Sequence, residues 1–385
     1  MNTSANDFNK EQNKDKNLNG INPNFNFNHI SKSDFIEHSK DLIQQGKEAS
    51  ESKGLFSVRT ANRWIEQAKV RPIPKMLFGE LWFEGELCIL FADTNLGKSI
   101  LAVQIGNSIS NGEPIRAFKL EAEKQKILYY DFELSEKQFE NRYSINFDQH
   151  YIFDDYFYRA EIDTEKSDYK GFGFETFELF LHYSLEKSII ETDAKILIID
   201  NITYLKNETE KAKDALPLMK HLKALKNKYG LSILALAHTP KRDLSKPITR
   251  NDLQGSKMLI NFCDSSFSIG ESSLDKSTRY LKQIKQRNTE QIYDAENVCV
   301  CQIIKPNNFL QFEFLNFGTE REHLKVISES ERNEIEASIR EILQIEPTIT
   351  AYAIAKKLCK DEGKFNSFKV KINRCVNKIR NSNNN

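Results

Sequence analysis

At 385 residues the chain has room for one large domain and something smaller, and 39% apolar residues supply a sizeable core. Lys and Arg together number 55, as do Asp and Glu, so overall charge excludes a global basic field and any nucleic-acid reading has to rest on local patches. No stretch approaches the roughly 18 apolar residues of a membrane span, and the first residues, Met1-Asn2-Thr3-Ser4, carry no signal-peptide core, so a soluble, cytoplasmic chain with no membrane partner is expected.

Residues 1–32 are rich in Asn and Lys and poor in aliphatics, which predicts a disordered tail that acts as a flexible tether. A mixed helical segment is expected over 33–71, with Trp64 and Ile65 packing near the start of the core, until Arg71-Pro72-Ile73-Pro74 breaks it. A short lead-in over 77–83 precedes the apolar run 87–91, which reads as a buried strand.

The next eight residues, Ala92-Asp93-Thr94-Asn95-Leu96-Gly97-Lys98-Ser99, open a helix that begins at Ile100 and stops at Asn111-Gly112. Strand, loop ending in Gly-Lys-Ser, then helix is the context of a phosphate-binding P-loop. Backbone N–H groups would cradle the phosphates of ATP, Lys98 would reach the outer ones, and Ser99 would ligate Mg²⁺. Ala92 stands where the stricter pattern has Gly.

Strands are then predicted over 126–131, 195–200 and 231–237, and helices over 135–143, 175–191 and 212–229, while 146–170 is aromatic and acidic with no clear period. Short buried strands between helices indicate an α/β domain with a parallel sheet. Strands at 265–269, 280–285, 298–304 and 310–314, with few helices between them, suggest an antiparallel extension of that sheet. The six cysteines, Cys88, Cys263, Cys299, Cys301, Cys359 and Cys375, have no zinc-ligand spacing and read as buried free thiols.

Residues 318–385 change character: helices are expected over 328–345 (with a Ser328…Glu331 capping-box spacing), 350–359 and 367–379 around a turn at Glu362-Gly363. Residues 355–385 hold nine Lys or Arg against Asp361 and Glu362. Two helices, a turn and a basic helix outline a helix-turn-helix or winged-helix reader of DNA; a small helical oligomerisation domain with a solvated basic face is the alternative.

Asp200 closes the run Ile196-Leu197-Ile198-Ile199 and, downstream of a P-loop, is the expected acid of a Walker B site. Glu133, just past the 126–131 strand, could take a proton from the water attacking the γ-phosphate, with Asp131 as its competitor. His238 follows another strand at the same crevice end and could sense the γ-phosphate. Lys285 and Arg287 share a strand face, as a cation pair for phosphate charge or as a solvated edge.

Together the 92–99 loop, Tyr130-Asp131-Phe132-Glu133, Ile198-Ile199-Asp200, Ala237-His238-Thr239 and Lys285-Gln286-Arg287 resemble the RecA-like P-loop ATPases, especially the RepA-type hexameric plasmid helicases and AAA-labelled relatives on mobile elements. The resemblance implies a RecA-like core over 72–317, Glu133 as water-activating base, Asp200 as metal-site acid, His238 as sensor, and Lys285 and Arg287 acting in trans. It also implies a homo-oligomeric ring whose loops at 203–212 and 240–255 touch single-stranded DNA through Lys206, Lys211, Lys241, Arg242 and Arg250. Three features depart from that family: the long 146–190 segment, the absence of a loader or primase module, and a 203–212 loop of mixed charge with only Tyr204 as a stacking platform. The competing functions are a nucleotide-switched DNA-binding regulator and a RecA-fold signalling ATPase without DNA; a nucleoside kinase would need an acceptor pocket and arginine-rich lid that the sequence does not offer.

Overall fold

The computed structural model describes residues 56–163, 168–202, 215–240, 242–253, 256–325, 329–359 and 365–382. The expectations for residues 1–32, for Tyr204, Lys206, Lys211 and Lys241, for Ser328 and for the 362–363 turn lie outside them. The chain divides into two compact units, residues 1–73 and 74–385.

In the first unit, Thr60 caps helix α1 (Ala61–Lys69) by accepting from the Arg63 N–H. This helix buries none of its residues, with Trp64 42% and Ile65 56% exposed.

The second unit opens with the antiparallel pair β1 (Met76–Phe78) and β2 (Trp82–Phe83). The P-loop strand β3 (Leu87–Ala92) and helix α2 (Lys98–Asn111) follow, then β4 (Ile127–Asp131), α3 (Glu136–Arg142), the small pair β5 (Ser144–Ile145) and β6 (Gln149–His150), and β7 (Phe157–Ala160). Helix α4 (Phe177–Thr192), β8 (Ile196–Asp200), α5 (Ala215–Tyr229), β9 (Ser232–His238), α6 (Ser256–Phe262) and β10 (Ser265–Glu271) complete the alternating part. Strands β11 (Thr278–Lys285), β12 (Val298–Ile304) and β13 (Gln311–Gly318) then run in succession.

The nine-stranded sheet has the order β13-β12-β11-β10-β3-β9-β8-β4-β7. All pairs from β10 to β7 are parallel, and the three from β10 to β13 are antiparallel. The fold is therefore mixed α/β with a large, mostly parallel central sheet, as the sequence led us to expect. Strand β7, a short edge strand inside the aperiodic 146–170 stretch, was not anticipated.

Both faces of the sheet are covered, so alternate residues of one strand enter different cores. Cys88, Leu90 and Ala92 of β3 face α2 and the aromatic layer around Phe309, while Leu87, Ile89 and Phe91 face α4, α5 and α6. Cys88, Cys263, Cys299 and Cys301 are buried free thiols, and Cys359 and Cys375 are partly buried free ones.

Helix α2 is buried from Leu101 to Ser110, because strands β12 and β13 also pack on it. Its polar residues find partners there: the Gln104 amide donates to the Phe312 carbonyl and accepts the Phe312 N–H, both at 2.9 Å, and Asn107 donates to the Tyr151 hydroxyl. Where α2 crosses β4, β7 and β8, a Cβ on Gly106 would lie 2.9 Å from the Phe157 ring, so only glycine allows that approach.

Residues 320–325 stay with the sheet: α7 (Glu320–His323) buries Glu320, which accepts from the Ile248 N–H and forms an ion pair with Lys282. Beyond it, α8 (Glu329–Ile345), α9 (Ala351–Leu358) and α10 (Phe365–Ser382) share their own core of Ile339, Ile349, Ile354, Ala355, Ile372, Val376 and Ile379. Thr350 caps α9 by accepting from the Ala353 N–H. Among the described residues, no helix is long and apolar enough to cross a membrane.

Candidate active site

Register aligns the carboxyl ends of four neighbouring strands. Ala92 pairs with His238 across β3–β9, Asp131 with Asp200 across β4–β8, and β9 lies between β3 and β8. Ligands of open parallel sheets bind outside those ends.

The P-loop leaves β3 at Ala92, and Asn95 turns with φ +62°. Gly97 initiates α2 at φ +95°. A Cβ on Gly97 would stand 2.8 Å from Ile303 Cδ1 and 2.9 Å from the Phe312 ring, so the loop lies directly on β12 and β13. No side chain caps α2 and no acid stands in its first turn, which leaves the positive helix end for an anion. Lys98 Nζ donates to the carbonyls of Ala92 at 3.1 Å and Asp93 at 2.9 Å. Burial holds its pKa below the ordinary lysine range, while Asp200, Glu133 and Asp93 oppose that shift.

Asp200 is fully buried at the end of β8. The Tyr129 hydroxyl donates to its Oδ2 at 2.6 Å, and its Oδ1 has no hydrogen-bond partner among the described residues. Burial pushes its pKa up to about 6, against the lowering effects of the nearby Ser99 hydroxyl and of the Tyr129 hydrogen bond. A buried carboxylate oxygen without a partner, beside a P-loop hydroxyl, fits a hard divalent cation, and Ser99 and Asp200 are the groups that would hold Mg²⁺.

Asp131 is spoken for. Its Oδ1 accepts the Glu133 and Leu134 N–H groups and its Oδ2 accepts Arg159 Nε at 3.0 Å; Arg159 in turn lies over the Phe139 ring. This Asx-type turn occupies both oxygens of Asp131 and leaves the Glu133 side chain to meet His238 and Asn201. Its Oε1 lies 3.3 Å from His238 Nε2 and accepts from the Asn201 amide. Hydrogen bonding from His238, and then from Asn201, holds the Glu133 carboxyl below the usual range against the effect of burial.

The structure thus gathers Lys98, Ser99, Glu133, Asp200 and His238 at one mouth, and adds Asn201, Tyr129 and Arg159. Lys285 and Arg287 are elsewhere. Strand β11 runs antiparallel to β10, with Lys285 level with Ser266, which is itself level with Ile89 of β3. They therefore lie toward the opposite end of the sheet from the P-loop. Lys285 Nζ donates to the carbonyls of Ile260 at 2.5 Å and Cys263 at 2.6 Å, closing the end of α6. Arg287 pairs with Asp264 at 3.1 Å with its side chain 51% exposed. Arg242 and Arg250, expected to touch DNA, donate to the carbonyls of Lys246 and Ile284 respectively.

Residues 56–243 match the family model of an AAA domain. The match runs from before the P-loop to just past His238 and covers a little under half of the chain, so the β3–β9 segment is similar to a nucleotide-binding ATPase domain. No curated protein matches the chain.

Proposed function

We propose that the chain is a Mg²⁺-dependent ATPase that works on DNA as a homo-oligomer, in the manner of a RepA-like replication helicase or a DNA-remodelling factor of a mobile element. The observation that carries the ATPase reading is the convergence of Lys98, Asp200, Glu133 and His238 on the carboxyl ends of adjacent parallel strands. In this reading the α2 N-terminus and Lys98 bind and orient the triphosphate, and Ser99 and Asp200 would hold Mg²⁺, which would supply neutralisation of phosphate charge. Glu133 takes the proton of the attacking water as the new O–P bond forms; the bond between the γ-phosphorus and the bridging oxygen breaks, giving ADP and phosphate. His238, in contact with the base, is placed to report the γ-phosphate to the chain that follows β9.

The oligomer rests on Arg287. It is half-exposed and toward the far end of the sheet, so it reaches a nucleotide only on another copy. The DNA reading rests on the basic C-terminal helices, where Lys356 is exposed and Lys369 lies over the ring of exposed Tyr352. A second reading, a nucleotide-switched DNA-binding regulator, is favoured by the separate core of α8–α10.

ATP turnover measured with and without single- and double-stranded DNA tests the proposal. Turnover should require Mg²⁺, disappear in Lys98→Ala and rise with single-stranded DNA in a salt-sensitive way. Turnover indifferent to DNA would overturn the DNA reading, and strand displacement would exclude a pure switch.

A further inference from the structure

We propose that Asn201 is the positioning residue of the hydrolytic base: its side-chain amide holds one oxygen of Glu133 so that the other is presented to the attacking water. The inference deepens the ATPase reading and rests on it.

Asn201 follows directly on Asp200 at the end of β8, and its side chain is buried. Its Nδ2 donates to Glu133 Oε1 and lies 2.9 Å from His238 Nε2. An amide nitrogen carries two protons, so one group can serve both neighbours when the imidazole proton is on Nδ1. With the proton on Nε2 instead, His238 itself donates to Oε1 alongside Asn201. In either tautomer Asn201 donates to Oε1. The reversed amide would set its carbonyl oxygen against the carboxylate, acceptor on acceptor, so chemistry fixes the orientation.

A carboxylate has two oxygens, and the contacts here fall on one. Glu133 is otherwise a half-buried side chain at the tip of a turn, fixed through its own backbone N–H by Asp131. A base on a turn has several rotamers, and fixing it in one removes the cost of finding the productive one. The geometry therefore divides the labour: Asp131 and Arg159 place the Glu133 backbone, and Asn201 places its carboxylate.

Asn201→Ala removes the donor, and Asn201→Asp removes it while keeping the shape and adding a like charge; each is compared with the full-length wild-type chain. Both should lower kcat at least ten-fold while KM for Mg·ATP stays within about two-fold, because a positioned base acts on the chemical step. The acid limb of the kcat–pH profile should move to higher pH in Asn201→Ala and further in Asn201→Asp, since loss of a donor and then a neighbouring carboxylate both raise the Glu133 pKa. If Asn201→Ala does not fold, the isosteric Asn201→Asp decides by the same two readouts. Wild-type kcat and an unmoved acid limb, or a change confined to KM, would overturn the assignment while leaving the ATPase reading intact. A wild-type chain that binds Mg·ATP without hydrolysing it would overturn both.

Discussion

Asp200 is a carboxylate whose ionisation burial makes costly. Burial raises its pKa from 3.8 to about 6, so the stability it permits is fully present below the unfolded value and is lost as pH rises through about 6. Asp200→Asn removes the ionisable group, keeps an acceptor for the Tyr129 hydroxyl, and should stabilise the Mg²⁺-free, nucleotide-free protein. A shift of this size is worth up to about 3 kcal/mol at pH 8, fading towards pH 4. Denaturant unfolding at several pH values checks it, and the same variant should lose turnover: the site retains an unfavourable charge for the sake of a cation. Asp200, Lys98 and Ser99 were legible in the sequence because each follows or ends a contiguous apolar run. Asn201 and Tyr129 were not: one looks like a polar residue entering a loop and the other like a core aromatic. Only the pairing of β4 with β8 brings the Tyr129 hydroxyl to Asp200, and only the turn at Asp131 brings Glu133 to Asn201.

At the scale of elements, the P-loop is clamped between the parallel and antiparallel parts of one sheet. Gln104 satisfies both backbone groups of Phe312, and Gly97 lies against Ile303 and Phe312. Gln104→Leu leaves a buried N–H and a buried carbonyl without partners and should cost about 2–6 kcal/mol, at roughly 1–3 for each group, read as a lowered denaturant midpoint. Gly97→Ala forces a side chain into a positive φ and into Ile303, and should weaken Mg·ATP binding at least ten-fold in a fluorescent-nucleotide titration. The strands that were legible, β3, β4, β8 and β9, are uninterrupted apolar runs. Edge strand β7 escaped notice because its Phe157-Tyr158-Arg159-Ala160 carries a cation that serves Asp131 rather than solvent.

For the whole molecule, the proposed assembly turns on the position of Arg287. The P-loop stands at the carboxyl ends of the parallel strands and Arg287 toward the other end, so one chain cannot supply both to one nucleotide. Under the proposed action in trans, Lys98→Ala and Arg287→Ala chains are each inactive, yet mixing them should restore turnover, because an Arg287→Ala subunit keeps its P-loop and a Lys98→Ala neighbour donates its arginine. A mixture no more active than its components would contradict action in trans. This relation was only half legible beforehand: the Lys285-Gln286-Arg287 spacing pointed to a cation pair on one face, but the antiparallel turn-back of β11 had to be seen to place it away from the P-loop.

The claim on which the rest depends is that Glu133 activates water above a nucleotide held by the P-loop. The most direct test is a paired measurement on Glu133→Gln: Mg·ATP binding at equilibrium and hydrolysis in a single turnover. Binding should stay at the wild-type level while hydrolysis falls by about 10²–10⁴, the range for loss of a general base. Hydrolysis by Glu133→Gln at the wild-type rate would contradict the account.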